Sequence, residues 1–476
     1  MTIPKRPSGR TVLLFGTCAL VLGVSACGRE PLSAPAGHRS SAIAAAAKSS
    51  AALSVTSTDP PFGDQGTTVD VHVFGNGFTP GAQATWLLNG VADNHVHTNS
   101  TTVVSSTELV ANITIASDAT LAFWDVQVSL SNGKNGVGSD LFEVTTAQIL
   151  GAGTTGGDVT VRAINDQRSV VGWANEPSGS TAWVYDDALG LVALGAGTSR
   201  GIDQSGTVVV GDDGTMPSAW KRQPDASWAQ QTMPVLAGAF GGEAMAAKQL
   251  ADGTLLVVGW NSFAGTKPHS SASTAPVSWT LVNGTWSAPQ TLVMPPGGTN
   301  GQVRDVNTLG EAVGAISGVA QGIVWDSPTS YALLDGTPNR INASGTLIVG
   351  VQNSSSTGVY WWRDRQTGAW HTTGVPLPSA QGASCASTFA RGVNDAGIIV
   401  GWACDQTHHL ATVWRLDLSG SQPVLVSVTF LPGLGKSTTN AEELSSAAEV
   451  TETTPYVVAG GATLNSTHLA VRWQLP

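Results

Sequence analysis

The feature that most constrains this 476-residue chain is self-similarity. Beyond Thr146 a core of the form apolar-Asn/Asp-x-x-Gly-apolar-Val-Gly recurs, and a repeat of this kind is read as an array before any local motif is interpreted. Copies run from Ile164-Asn165 to Val171-Gly172, from Ile202-Asp203 to Val210-Gly211, and from Val306-Asn307 to Val313-Gly314. Two more run from Ile341-Asn342 to Val349-Gly350 and from Val393-Asn394 to Val400-Gly401. Degenerate copies at Asp252-Gly253 to Val258-Gly259 and at Val457-Val458 to Gly460 bring the set to seven. Each copy reads as a hairpin. Asn or Asp opens a tight turn by bonding its own backbone, a Gly three residues on takes a positive φ, and the apolar run returns as a strand. A Trp-bearing strand follows each hairpin, at Trp183, Trp220, Trp279, Trp325, Trp361, Trp414 and Trp473, and a fourth apolar run such as Val192-Ala193-Leu194-Gly195 follows most of these.

Four strands per unit is the content of one propeller blade. The two ends of the array are complementary: the last copy stops at Trp473-Gln474-Leu475-Pro476 without a fourth strand, while Gln148-Ile149-Leu150-Gly151 precedes the first hairpin as an orphan. Pairing the orphan beside the Trp473 strand closes a ring and leaves no exposed edge. The expected fold is therefore all-β, with a seven-bladed β-propeller over 147–476. The Ile341 to Gly350 and Val393 to Gly401 cores resemble the extracellular HAF-type repeats of bacterial secreted proteins. That resemblance implies export and a propeller-like fold, and carries no established chemistry.

Residues 53–146 show short alternating runs, such as Val69-Asp70-Val71-His72-Val73, separated by turn signals at the spacing of a β-sandwich. Pro61-Phe62-Gly63, Gly66 and Gly75-Asn76-Gly77-Phe78 resemble the immunoglobulin-like TIG/IPT domains, which implies an extracellular spacer or adhesive module.

The N-terminus has Lys5, Arg6 and Arg10, then the apolar run Thr11 to Val24, too short to span a bilayer, then Val24-Ser25-Ala26-Cys27. This is read as a secretory signal over 1–26 ending in a sequence that resembles the bacterial lipobox, which implies a lipidated Cys27 and an envelope location, at the outer membrane or cell surface in a double-membraned host. Residues 27–52, rich in Ser, Ala, Pro and Gly, lack the apolar surface to fold and read as a tether. Cys385 and Cys404 lie 19 apart in an oxidising compartment and are expected to form a disulfide.

The formal charge is −11, and −14 without the first 26 residues, and no run clusters Lys and Arg, which argues against a nucleic-acid partner. Gly151-Ala152-Gly153-Thr154-Thr155-Gly156 satisfies a dinucleotide-loop pattern but runs on into strand, so no cofactor is expected. Gly197-Thr198-Ser199-Arg200-Gly201 satisfies a nucleophile-elbow pattern without the required helix. His95-Val96-His97 and His408-His409, near Asp93 and Asp405, have no recognised metal spacing, and Asp166, Asp203, Asp305 and Asp395 flank turns. No catalytic or metal site is assigned. Of the tryptophans outside the repeat register, Trp228, Trp286, Trp362 and Trp370 are candidates for a ligand surface. The expected activity is recognition of a protein or polysaccharide by a monomeric, membrane-anchored chain. The alternatives are a secreted glycan lyase or hydrolase and a purely structural envelope component.

Overall fold

The computed structural model describes residues 52–151, 158–264, 273–319, 321–352, 357–379, 387–404, 409–434, 445–464 and 467–475. The signal, Cys27, nearly all of the tether, Cys385, Asp405 and His408 lie outside these residues. Among the described residues every regular element is a strand, and no helix is long and apolar enough to cross a membrane. Residues 51–476 form one unit.

Its first part packs two sheets face to face. Ser54–Asp59, Thr68–Asn76, Glu108–Ile115 and Val96–Ser105 form one, and Phe62–Asp64, Asn135–Thr145, Ala122–Ser129, Gln83–Leu88 and Val91–Ala92 the other. Period-two alternation sends Val71, Val73, Leu109 and Ile113 from one sheet onto Trp86, Trp124 and Phe142 from the other. The Trp86 and Phe142 rings meet at 4.7 Å between centroids. Gly75 is required where its strand crosses Ser54, since a Cβ there would lie 2.0 Å from the Ser54 carbonyl oxygen.

The repeat region forms seven antiparallel sheets. Their first strands are Val159–Ile164, Thr198–Ile202, Ala239–Gln249, Asn300–Val306, Gly336–Ile341, Thr388–Val393 and Ser445–Val450. In the first six sheets, second, third and fourth strands follow in chain order as a meander. The seventh takes its outer strand from elsewhere: Ala147–Gly151 pairs antiparallel with Thr467–Gln474, setting Ala147 opposite Trp473 and Ile149 opposite Val471. Consecutive first strands pack on one another, and Ser445–Val450 packs on Val159–Ile164.

The turns follow the sequence logic. The Asn165, Asp203, Asn307, Asn342 and Asn394 side chains are buried and accept from backbone N–H groups of their own turns, for example Leu347 N–H to Asn342 Oδ1 at 2.8 Å. Gly206, Gly310, Gly345 and Gly397 carry positive φ three residues on, while the first copy places Arg168 there at φ 62°. The seven register tryptophans are each at most 2% exposed. Six of them donate their indole N–H to the stretch around the end of the preceding sheet, as Trp220 does to the Leu194 carbonyl (3.0 Å) and Trp473 to that of Pro432 (2.8 Å). Burying an indole while satisfying its one donor makes this contact a strong sheet-to-sheet fastener.

Candidate functional site

All seven first strands carry a β-bulge at the same place, opposite the glycine of the Val-Gly pair or its equivalent. The glycine permits it. A Cβ at Gly172 would stand 1.9 Å from the Thr160 carbonyl oxygen, and one at Gly401 the same distance from that of Phe389. A bulge re-aims the extra side chain, and here the extra residues are Arg162, Arg200, Met245, Arg304, Asn339, Arg391 and Ala448. Four arginines thus come from four different sheets to one geometrically equivalent position.

Arg340, next to the fifth bulge and only 3% exposed, ties the group together. Its Nη2 donates to the Arg162 carbonyl (3.1 Å) in the first sheet and its Nη1 to that of Arg304 (3.4 Å) in the fourth. Its Nε and Nη2 both reach Glu449 Oε2 at 3.2 Å in the seventh. One side chain touching the first strands of three other sheets requires those strands to converge. Burial works against charge on Arg340, but Glu449 and Asp305 outweigh it and raise the guanidinium pKa.

Two of the five arginines have carboxylate partners, Arg340 with Glu449 and Arg200 with Glu243. Among the described residues Arg162, Arg304 and Arg391 form no ion pair, and the buried Nε atoms of Arg162 and Arg391 have no hydrogen-bond acceptor. Arg304 donates to Asn339 Oδ1 at 2.6 Å, and Arg391 rests over the Phe389 ring at 5.2 Å. Burial, with the neighbouring charges of Arg340, Arg200 and Arg391, pushes Arg162 well below the ordinary arginine value, and burial with Arg340 lowers Arg304 and Arg391. The cluster is therefore a set of partly desolvated positive charges in excess of its counter-ions. All four bulge arginines keep some surface open to solvent.

The position after each of these glycines, one residue beyond the bulge and away from the Asn turn, is also occupied in a pattern. It holds Trp173, Trp260 and Trp402 in the first, third and sixth sheets, all half-buried. Arg200 lies 4.1 Å over the Trp173 ring. Trp402 is stacked between His409 (4.0 Å) and Phe389 (5.8 Å). Trp260 pairs in register with Glu243, the partner of Arg200. Burial raises the Glu243 carboxyl pKa against the pull of Arg200.

The tryptophans singled out from sequence lie elsewhere. Trp286 is 8% exposed in the core of the third sheet, so its expected place on a ligand surface is overturned: the short strand Thr285–Trp286 folds back opposite Leu281 and Val282 and carries the ring inward. Trp228 is half-buried on the outer strand of the second sheet, and Trp362, at the end of the third strand of the fifth sheet, and Trp370, in a bridge beside it, are half-buried as well. Trp362 stacks on His371 at 4.0 Å and Trp370 lies under Arg363 at 4.6 Å, and the four tryptophans belong to or pack against four different core clusters. The absence of any Lys/Arg run hid the arginine cluster, which only tertiary structure assembles. A signal existed: Arg162, Arg200, Arg304 and Arg391 each stand three residues before the turn Asn or Asp.

Ser199 is buried within a strand, reaching the Trp183 carbonyl (2.8 Å) and that of Gly172 while accepting from Gly172 N–H (3.0 Å), so its hydroxyl joins the first two sheets. Of the glycine-rich pattern at 151–156, only Gly151 is described, at a strand end. His95 bonds Asp93 (2.6 Å), and His97 bonds Asn94 (2.9 Å). Asp166 and Asp395 serve neighbouring turns, accepting from Glu452 N–H (2.7 Å) and Ser344 N–H (2.9 Å), and Asp203 caps its own turn. Asp305 accepts from Ile341 N–H at 3.0 Å. Cys404 is disulfide-bonded.

A concavity of about 750 Å³ lies where the two-sheet part meets the repeats, lined among others by Asp64, Leu121, Arg168, Arg415, Phe430 and Arg472. Beside it Gly433 N–H donates to Glu143 Oε1 at 2.9 Å.

No protein-family model and no curated protein matches the sequence. Similar solved structures include an uncomplexed acylaminoacyl peptidase of Pyrococcus horikoshii, 8% identical, with 67% of this chain and 52% of the peptidase covered and a TM-score of 0.39. A Lactobacillus plantarum protein is 13% identical over 65% of this chain and 92% of its own length, with a TM-score of 0.35. A glycosyl hydrolase of Bacteroides ovatus is 7% identical over 66% and 84%, with a TM-score of 0.24. The chain spans about half the length of the peptidase. Likenesses this faint carry nothing over to this chain.

Proposed function

We propose that the seven sheets are the blades of a closed seven-bladed β-propeller, that residues 53–146 are an immunoglobulin-like spacer, and that the chain is a surface binding module for an anionic partner. In this reading the chain is exported, lipidated on Cys27 and held off the membrane by residues 27–52. Closure is supported by the Ala147–Gly151 pairing with Thr467–Gln474 and by the contact of the seventh first strand with the first. The functional reading rests on one observation: among the described residues three of five converging arginines have no carboxylate partner, in a chain whose net charge is −11. Uncompensated buried charge is costly, so a site that keeps it is suited to a ligand that neutralises it. Guanidinium groups in fixed places also recognise oxyanions by bidentate bonds.

The test is thermal unfolding of the purified chain with and without citrate, alongside the Arg162→Gln/Arg391→Gln double variant. Citrate should raise the unfolding temperature of the unaltered chain and not of the variant. Equal response, or none, of both proteins would refute anion recognition at the axis.

A further inference from the structure

The arginine cluster does not stand alone, and its surroundings narrow the ligand. Resting on the anion-binding reading above, we propose that this site takes an acidic oligosaccharide, one built of uronic acid units, on the ring face away from the Asn turns.

Three observations converge. First, Trp173, Trp260 and Trp402 occupy one equivalent position, so the propeller repeat brings them to the same face, each one residue from a bulge. Arg162 and Arg391 stand at the bulges beside Trp173 and Trp402. Second, among these indoles Trp260 has neither ring stacked on it nor cation over it among the described residues. A half-buried, unstacked indole is a platform for the apolar face of a pyranose ring. Trp173 beneath Arg200, and the Phe389–Trp402–His409 ladder, are walls whose rings are already covered. Third, the bulge residues beside Trp173 and Trp402 are Arg162 and Arg391, which form no ion pair among the described residues and keep part of their side chains open to solvent, while the carboxylate opposite Trp260, Glu243, is already paired with Arg200.

A uronate unit needs both things at once, a flat apolar face on one side of the ring and a carboxylate at its rim. A neutral sugar has no use for the excess positive charge. Inorganic phosphate or sulfate has no use for the indoles. An acidic peptide would use the arginines but would not need a free indole face. The acidic remainder of the chain repels polyanions in general, so a polyuronate is drawn to the axis and not to the outer surface, and its binding should weaken with salt.

The experiment is titration calorimetry of the purified chain with three probes of equal length: hexagalacturonate, neutral hexagalactose and hexaglutamate. Hexagalacturonate should bind, and hexagalactose and hexaglutamate should bind at least about tenfold more weakly. Trp260→Ala should weaken hexagalacturonate by about tenfold, and Trp260→Phe should restore most of the loss. Arg391→Gln should weaken hexagalacturonate and hexaglutamate alike. The unfolding transition of each variant, followed by circular dichroism, separates lost binding from lost folding. If hexaglutamate binds as well as hexagalacturonate and Trp260→Ala changes neither, the sugar assignment fails while anion recognition stands. If no acidic probe binds, or Arg391→Gln changes none of them, both readings fall.

Discussion

Arg340→Met is the most informative single perturbation of the arginine cluster. In the native chain Arg340 gives two 3.2 Å contacts to Glu449 and hydrogen bonds to the Arg162 and Arg304 carbonyls. Methionine removes all of these and leaves the Glu449 carboxylate, whose side chain is 13% exposed, without its cation. Breaking a buried pair by deleting one partner costs about 3–5 kcal/mol, chiefly the uncompensated charge. Adding Glu449→Leu removes that charge, so the double variant should regain most of the loss. It should then sit about 1–2 kcal/mol below the unaltered chain, from the two hydrogen bonds to the Arg162 and Arg304 carbonyls that are lost. The single variant also acquires a pH signature. Its Glu449 pKa lies above the unfolded value, so stability is retained at low pH and lost as pH rises through the folded pKa. The penalty should therefore be largest at pH 8 and shrink toward pH 5. Urea unfolding followed by tryptophan fluorescence at both pH values measures it. A loss below about 1 kcal/mol at pH 8, or a double variant no more stable than the single one, would show that Arg340 does not join the sheets.

Other substitutions probe the turns and the sheet contacts. Burial first, and the nearby Asp395 charge, push the Glu452 carboxyl up to about 7 against the Asp395 N–H bond. The folded pKa thus exceeds the unfolded one, and stability should fall between about pH 4.5 and 7, by at most about 3 kcal/mol. Glu452→Gln should flatten that slope in a pH series of urea midpoints. Arg168 holds φ 62° where most other copies have glycine, so Arg168→Gly should stabilise the chain, by up to about 1 kcal/mol in the same assay; a loss of stability would mean that its side chain contributes more than the backbone strain costs. Ser199→Ala removes a buried hydroxyl that joins two sheets and should lower stability by about 1–3 kcal/mol. Unchanged stability on urea unfolding would contradict that role.

The division between what was legible and what was not follows from the range of the interactions. The all-β character, the hairpin turns at Asn165, Asp203, Asn307, Asn342 and Asn394, and the repeating Trp strands depend on residues a few positions apart, so the repeat displayed them directly. The pairing of Gln148-Ile149 with the Trp473 strand was also within reach, because a missing strand at one end and a spare one at the other are features of the pattern itself. The glycine of each Val-Gly pair was visible, but its reason was not: it makes room for a carbonyl on the neighbouring strand, a contact that exists only once the hairpin has formed. The functional cluster was hidden more deeply. Arg162, Arg200, Arg304, Arg340 and Arg391 are spread over some 230 residues, and nothing local distinguishes them from solvated surface arginines. Only the bulges, repeated in every first strand, put four of them at one equivalent position, and only packing of these strands on one another buries Arg162 and brings the other charges near it, which together lower its pKa. The burial of Trp286 and the stacking of Trp362 on His371 were decided in the same way, by neighbours that strand order brings in from a distance. Local hydrogen bonds and side-chain periodicity are encoded within each repeat, whereas the electrostatics of the arginine cluster arise from the sum over repeats, which no single segment contains.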